Sequence, residues 1–228
     1  MSTVQMYGNG VGGVFQGNYG TYQATSDGTF TIDARDITPA LLLGMTYVNK
    51  TFDAYYTGGA PAAASAAAYV SSASLSNGNL TIAAQPDVTR QAALVVGTGT
   101  TAVTAGSIAL TYIANDGTTQ TDTFSAVVGA SATTTQFTSK GVVHIASGTV
   151  SGLVGGTSPF VYLGSTSVLS VPVSPGATDF SVQKENVTGA DETVGTLSTV
   201  TLGSIAPTSA PNGTRTYSFM YTYYGPGF

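Results

Sequence analysis

Chemistry-bearing side chains are scarce in this sequence. There is no cysteine, one histidine (His144) and only two glutamates, Glu185 and Glu192. Without thiols, disulfides and thiolate metal sites are excluded. Charge is equally sparse: 6 basic and 11 acidic residues make 7% of the 228 residues, against about 25% in an average soluble domain. A net charge of −5 with scattered basic residues lacks the clustered basic patch that nucleic acid requires, so no nucleic-acid partner is expected. No apolar run approaches the roughly 18 residues of a membrane helix, and no membrane partner is expected. The start, Met1-Ser2-Thr3-Val4-Gln5, has neither the basic opening nor the apolar core of a signal peptide. Synthesis in a cytoplasm without export by that route is the expectation.

What fills the gap is Ser, Thr, Gly and Ala. The chain is not of the disordered class, which combines low hydrophobicity with high net charge, because 42% of it is hydrophobic and 13 residues are tyrosine. Charge keeps free monomers soluble and apart. A chain with so little of it points to a subunit packed among copies of itself or its partners.

Two regions are expected. Residues 1–84 read as an extended N-terminal arm with a hairpin, one short helix and an Ala/Gly-rich linker. Residues 85–228 read as an antiparallel, Ig-like β-sandwich, so the fold class is mainly β. In the arm, β-prone runs from Tyr19 to Ala34 flank Ser26-Asp27-Gly28, a hairpin turn signal. Thr38 as N-cap, Pro39 at the first helical position and Gly44 past the end predict a turn or two of helix burying Leu41 and Leu42. Residues 54–86 carry one uncharged stretch, and the alanine tract within 58–68 has little to bury, so it reads as a linker.

Beyond Gln85 the period is two. Ile108, Leu110 and Tyr112 alternate, Asn115-Asp116-Gly117 turns, and Phe124, Ala126 and Val128 alternate again, a hairpin with one buried face. Further short strands at intervals of about 8–12 residues fit a sandwich. After Asn212-Gly213, the residues Tyr217, Phe219, Tyr221 and Tyr223 share one face of a strand that Pro226 ends. That aromatic stripe is either a buried face or a subunit contact. With Tyr7, Phe15, Tyr19, Tyr22, Leu41 and Leu42 it forms the candidate interface set.

The inventory for catalysis is thin. His144 within Val142-Val143-His144-Ile145 has no assignable acid, nucleophile or metal partner, and a surface histidine is the expectation. Asp191-Glu192 is the one adjacent carboxylate pair. It reads as a solvated loop tip, with a weak calcium site as the lesser alternative. There is no Gly-x-Ser-x-Gly elbow, and Gly8-Asn9-Gly10-Val11-Gly12-Gly13 is no dinucleotide fingerprint, since no strand precedes it and no helix follows. No catalytic residue, cofactor or metal is assigned.

One succession of motifs looks familiar. Gln85-Pro86-Asp87-Val88-Thr89-Arg90 leads into an apolar strand. Thr104–Tyr112 and Asp116–Phe124 then form the hairpin, and Thr133–Thr135, Phe137 to Val143 and Val150-Ser151-Gly152-Leu153 follow. This resembles a β-sandwich domain of tailed-bacteriophage virion proteins, in which Pro-Asp-x-x-Arg precedes G-x-I-x-x-x-G-x-D-x-x-G-x-x-x-x-E-x-F and T-x-x-x-F-x-x-V. The match spans about residues 85–165, with a weaker echo at 30–48. It departs where Asp122 and Thr123 stand for the Glu before Phe, and where Asn115 stands for a glycine.

The resemblance implies a non-enzymatic auxiliary virion protein: a capsid decoration, head-fibre or minor capsid component on the outer capsid surface. Its partners would be other virion proteins, the major capsid protein first, with a homo-oligomer, a trimer by analogy, as the assembled form. A tail-associated or surface adhesion module binding a host receptor or glycan is the alternative, since tyrosine faces stack on sugars. A tail-tube or connector subunit ranks third.

Overall fold

The computed structural model describes the backbone at four short N-terminal strands and then residues 50–225 apart from residue 200; side chains are described over residues 58–224 apart from 72 and 200. The chain divides into two units, Met1–Lys50 with Pro226–Phe228, and Thr51–Gly225.

In the first unit, β1 (Thr3–Tyr7) pairs antiparallel with β4 (Thr29–Asp33), and β2 (Val14–Gly17) with β3 (Gly20–Gln23). The hairpin expected around Ser26-Asp27-Gly28 is therefore not the one formed. Strand β3 pairs instead with β2, Gly17 opposite Gly20, and β4 pairs with β1. The turn residues and the predicted helix at 38–44 lie outside the described residues.

The second unit is mainly β and antiparallel, with no helix among the described residues. Its strands are β5 (Lys50–Gly58), β6 (Ser65–Ser74), β7 (Gly78–Asn79), β8 (Arg90–Gly97), β9 (Val103–Ala114), β10 (Thr119–Ser125) and β11 (Thr133–Phe137). They continue as β12 (Val142–Gly155), β13 (Phe160–Ser170), β14 (Asp179–Val187), β15 (Ala190–Glu192), β16 (Thr196–Leu197), β17 (Ser204–Ala206) and β18 (Tyr217–Gly225). One sheet runs β10-β9-β12-β8-β13-β17-β16, with β11 on β8, β6 on β13 and β7 on β12; a second runs β15-β14-β18-β5.

Between β12 and β8 the pairing is one residue deep, Val142 opposite Arg90. The arms on either side of that joint share one core: Leu94 and Val96 from β8, Ile108, Leu110 and Tyr112 from β9, Ile145 and Val150 from β12, and Val161 and Leu163 from β13. The β9–β10 hairpin follows its predicted alternation, with Ile108 opposite Phe124 and both buried. Its turn is held by the Asp116 carboxylate, which accepts from the Thr118 amide (3.0 Å) and hydroxyl (2.6 Å). Gly117 there has φ 76, the left-handed conformation that glycine adopts without strain.

Two expectations are corrected. The alanine tract is not a linker: from Ser65 it is β6, paired with β13, and Tyr69 and Val70 are buried in the core. Small side chains permit this, because β6 lies almost on top of Gly164 of β13. A Cβ built at Gly164 would stand 2.0 Å from the Ser65 carbonyl oxygen. A division at residue 84/85 would cut through this core.

Nor do residues 85–228 bury a single apolar cluster. Leu169, Val171, Val173, Val187, Ile205, Tyr217, Phe219 and Tyr221 form a second buried cluster. Strand β13 serves both, contributing Val161 and Leu163 to the first core and Leu169 to the second. Asn115 ties them further. Its amide donates to the carbonyls of Val171 and Leu202 (both 3.0 Å), and its oxygen accepts from Gly141 (3.2 Å). Asn115 thus supplies a buried three-bond brace.

Candidate interaction surface and buried polar clusters

Residues alternating outward from β10, β9 and β12 lie side by side in four rows. Thr119, Ile113 and His144 make the first; Thr121, Thr111 and Ser147 the second; Thr123, Ala109 and Thr149 the third; Ser125, Ser107 and Ser151 the fourth. No Asp, Glu, Lys or Arg stands on this face. The hydroxyls bond across strands, Thr111 to Thr121 at 3.0 Å and Ser107 to Ser151 at 3.2 Å, as opposed Thr and Ser residues do. β10 is the end strand of its sheet path, and Ile113 and Val143 leave apolar surface exposed near the first row. The result is a sheet face of neutral hydroxyls and a few aliphatic groups. It can meet a partner without stripping water from charge.

His144 is exposed on this face and Ile145 is buried beneath it. Val143 is exposed as well, because the register slips between Val142 and His144. Among the described residues no three His, Asp or Glu side chains converge as a metal site would require.

The charged side chains mostly brace the fold. Arg90 is fully buried, and its guanidinium meets both oxygens of Asp87 at 2.8 and 2.9 Å and the Ala62 carbonyl at 3.1 Å. Asp87 also accepts from the Ala62 amide at 2.7 Å. The Pro-Asp-x-x-Arg spacing therefore has a structural meaning: it clamps the segment that leads into β6. Asp122 is a second hub, accepting from the Tyr112 hydroxyl (2.8 Å), the Ser139 amide and hydroxyl (both 2.7 Å) and the Gln120 amide (3.2 Å). Burial pushes its pKa up, but these donors outweigh it and hold the carboxyl below its ordinary 3.8. Asp116 follows the same pattern, burial being outweighed by hydrogen bonds from Lys140 (2.5 Å) and Thr118. This ion pair stands at a cavity of about 230 Å³ whose walls include Val173, Ser174 and Leu202.

The C-terminal aromatic members of the candidate interface set fall largely inside. Tyr217, Phe219 and Tyr221 are 1%, 0% and 3% exposed, and Tyr223 is half-buried against the same core. Most of the stripe is a buried face of this chain, and the rings of Tyr217, Phe219 and Tyr221 are closed to a sugar or a neighbouring subunit. Tyr7, Phe15 and Tyr22 lie on β1, β2 and β3; Tyr19, Leu41 and Leu42 lie outside the described residues.

Asp191 and Glu192 do not form a shared loop tip. The turn is Thr188-Gly189, with φ 52 and 85, and both carboxylates sit on β15. Consecutive strand residues point to opposite faces. Asp191 goes outward to Lys184 and Asn186, both at 3.0 Å, and those donors lower its pKa. Glu192 goes the other way, opposite the fully buried Glu185. The two-residue turn could have revealed that pairing, since Glu185 and Glu192 are equidistant from it.

No protein-family model matches this chain, and neither the curated proteins nor the solved structures compared with it contain a match.

Proposed function

We propose that this chain is a non-enzymatic structural component of a tailed-bacteriophage virion, a decoration or auxiliary protein bound to the assembled capsid shell. On this reading the first core is an Ig-like β-sandwich, and the two arms of its sheet, which meet at the Val142–Arg90 pair, are its layers. The observation that carries the reading is the charge-free hydroxyl face of β10, β9 and β12. Such a face suits broad, neutral contact with the shell or with a second copy of the chain, here as a trimer. The motif residues of the phage-like stretch also support it, because Asp87, Arg90, Asp116 and Phe124 all serve folding and none is spent on chemistry.

Charge placed on the face tests this. Empty heads of the phage that encodes the chain are incubated with wild type and with a Thr121→Lys/Thr149→Lys variant, both positions being exposed. A buried, unpaired ammonium weakens association, so the variant should bind at least about tenfold more weakly, a difference of about 1.4 kcal/mol. Equal occupancy of the heads by both proteins would sink the proposal.

A further inference from the structure

The chain's only two glutamates are directly opposed across the β14–β15 ladder. Glu185 is fully buried; its carboxylate accepts from the Gly195 amide (2.7 Å) and the Thr208 amide (3.2 Å). Glu192 accepts from the Ser209 hydroxyl through Oε1 (2.9 Å), while its Oε2 is buried without a hydrogen-bond partner. From β18 the Tyr217 hydroxyl donates to the Ser209 carbonyl (2.7 Å) and closes the far side of the cluster. Arg215 lies beside Tyr217 and donates to the Ala210 carbonyl (2.7 Å). Lys184 and Asp191 pair with each other on the solvent side. Among the described residues no cation forms an ion pair with either glutamate.

Two ionised carboxylates facing each other on a strand pair repel, and burial strengthens the repulsion. We propose that Glu185 takes up a proton against the facing Glu192 carboxylate, and that this makes β14, β15 and β18 an acid-strengthened sheet that loosens at its β15 edge when the proton leaves. A proton on Glu185 removes one of the two facing charges, while Glu192 Oε2 stays buried without a hydrogen-bond partner. Burial raises the Glu185 pKa above its ordinary 4.5 against the two amide donors, and the Glu192 charge pushes the same way. The folded chain therefore holds more protons than the unfolded chain above pH 4.5. Stability from this group is complete below that pH and is lost as pH rises through the folded value. The inference is independent of what the chain assembles with.

The composition supplies a clean probe. Carboxyl-carbon labelling of glutamate yields two resonances, one for each residue. In the wild-type chain the Glu185 signal should titrate above 4.5, and amide exchange in β15 should quicken about tenfold across that step, after allowance for intrinsic exchange. Glu192→Gln should remove the acceleration. A Glu185 signal that titrates at or below 4.5, or β15 exchange indifferent to its step, would overturn the proposal. The wild-type titration decides the matter even if the variant does not fold.

Discussion

The two cores of the second unit are built from different material and handle charge in opposite ways. The first is largely aliphatic, with Leu94, Val96, Ile108, Leu110, Val161 and Leu163 at its centre. The second is centred on Tyr217, Phe219 and Tyr221. Around the first, Asp116 and Asp122 are surrounded by donors that hold them ionised. In the second, Glu185 is driven towards its neutral form by burial and by Glu192. The contrast follows from donor supply. Four hydrogen-bond donors reach Asp122, whereas Glu192 lies beside Glu185 with one of its own oxygens unserved. Acid should therefore weaken the first core and tighten the second, although one strand, β13, runs through both.

The largest test separates the cores by volume. Phe219→Ala empties the centre of the second and should cost about 3–5 kcal/mol. Hydrogen exchange should show β14, β15 and β18 opening while β9 and β12 retain protection; uniform loss of protection would make the two clusters one cooperative unit. A smaller blow falls on the first core alone. Gly164→Ala drives a methyl group into the Ser65 carbonyl and should cost about 1–3 kcal/mol. Exchange at the amides of β6 should rise, with those of β18 unchanged.

The smallest effect sharpens the electrostatic half of the comparison. The depressed pKa values of Asp116 and Asp122 provide stability that is present above about 3.8 and is lost as pH falls through their folded values. Asp122→Asn should cost about 1–2 kcal/mol at neutral pH, from hydrogen bonds to a charged acceptor. It should also flatten the acid limb of thermal unfolding, leaving the Glu185 response in place.

Much of the β9–β10 hairpin was legible because two local signals agree: alternation of period two and an Asp-Gly turn with its own side-chain acceptor. The strand at 217–223 was legible for the same reason, but its role was not. An aromatic stripe looks alike whether it faces a core or a neighbour, and the choice depends on what β14 and β13 place against it. The β6 strand was missed because an alanine tract carries no strand preference of its own; Gly164 makes room for it from about a hundred residues away. Arg90 was visible as a motif residue, yet its burial depends on Ala62 and Thr166 offering carbonyls.

By itself the sequence determined the mainly β class, the positions of its best turns and the poverty of its chemistry, because each depends on composition or on neighbours a few residues apart. Tertiary structure alone decided that there are two cores where one was expected, that the uncharged hydroxyls align on one face, and that the two glutamates meet. Those outcomes depend on strand pairing across tens of residues, where register sets which side chains come together and burial sets what their charges cost.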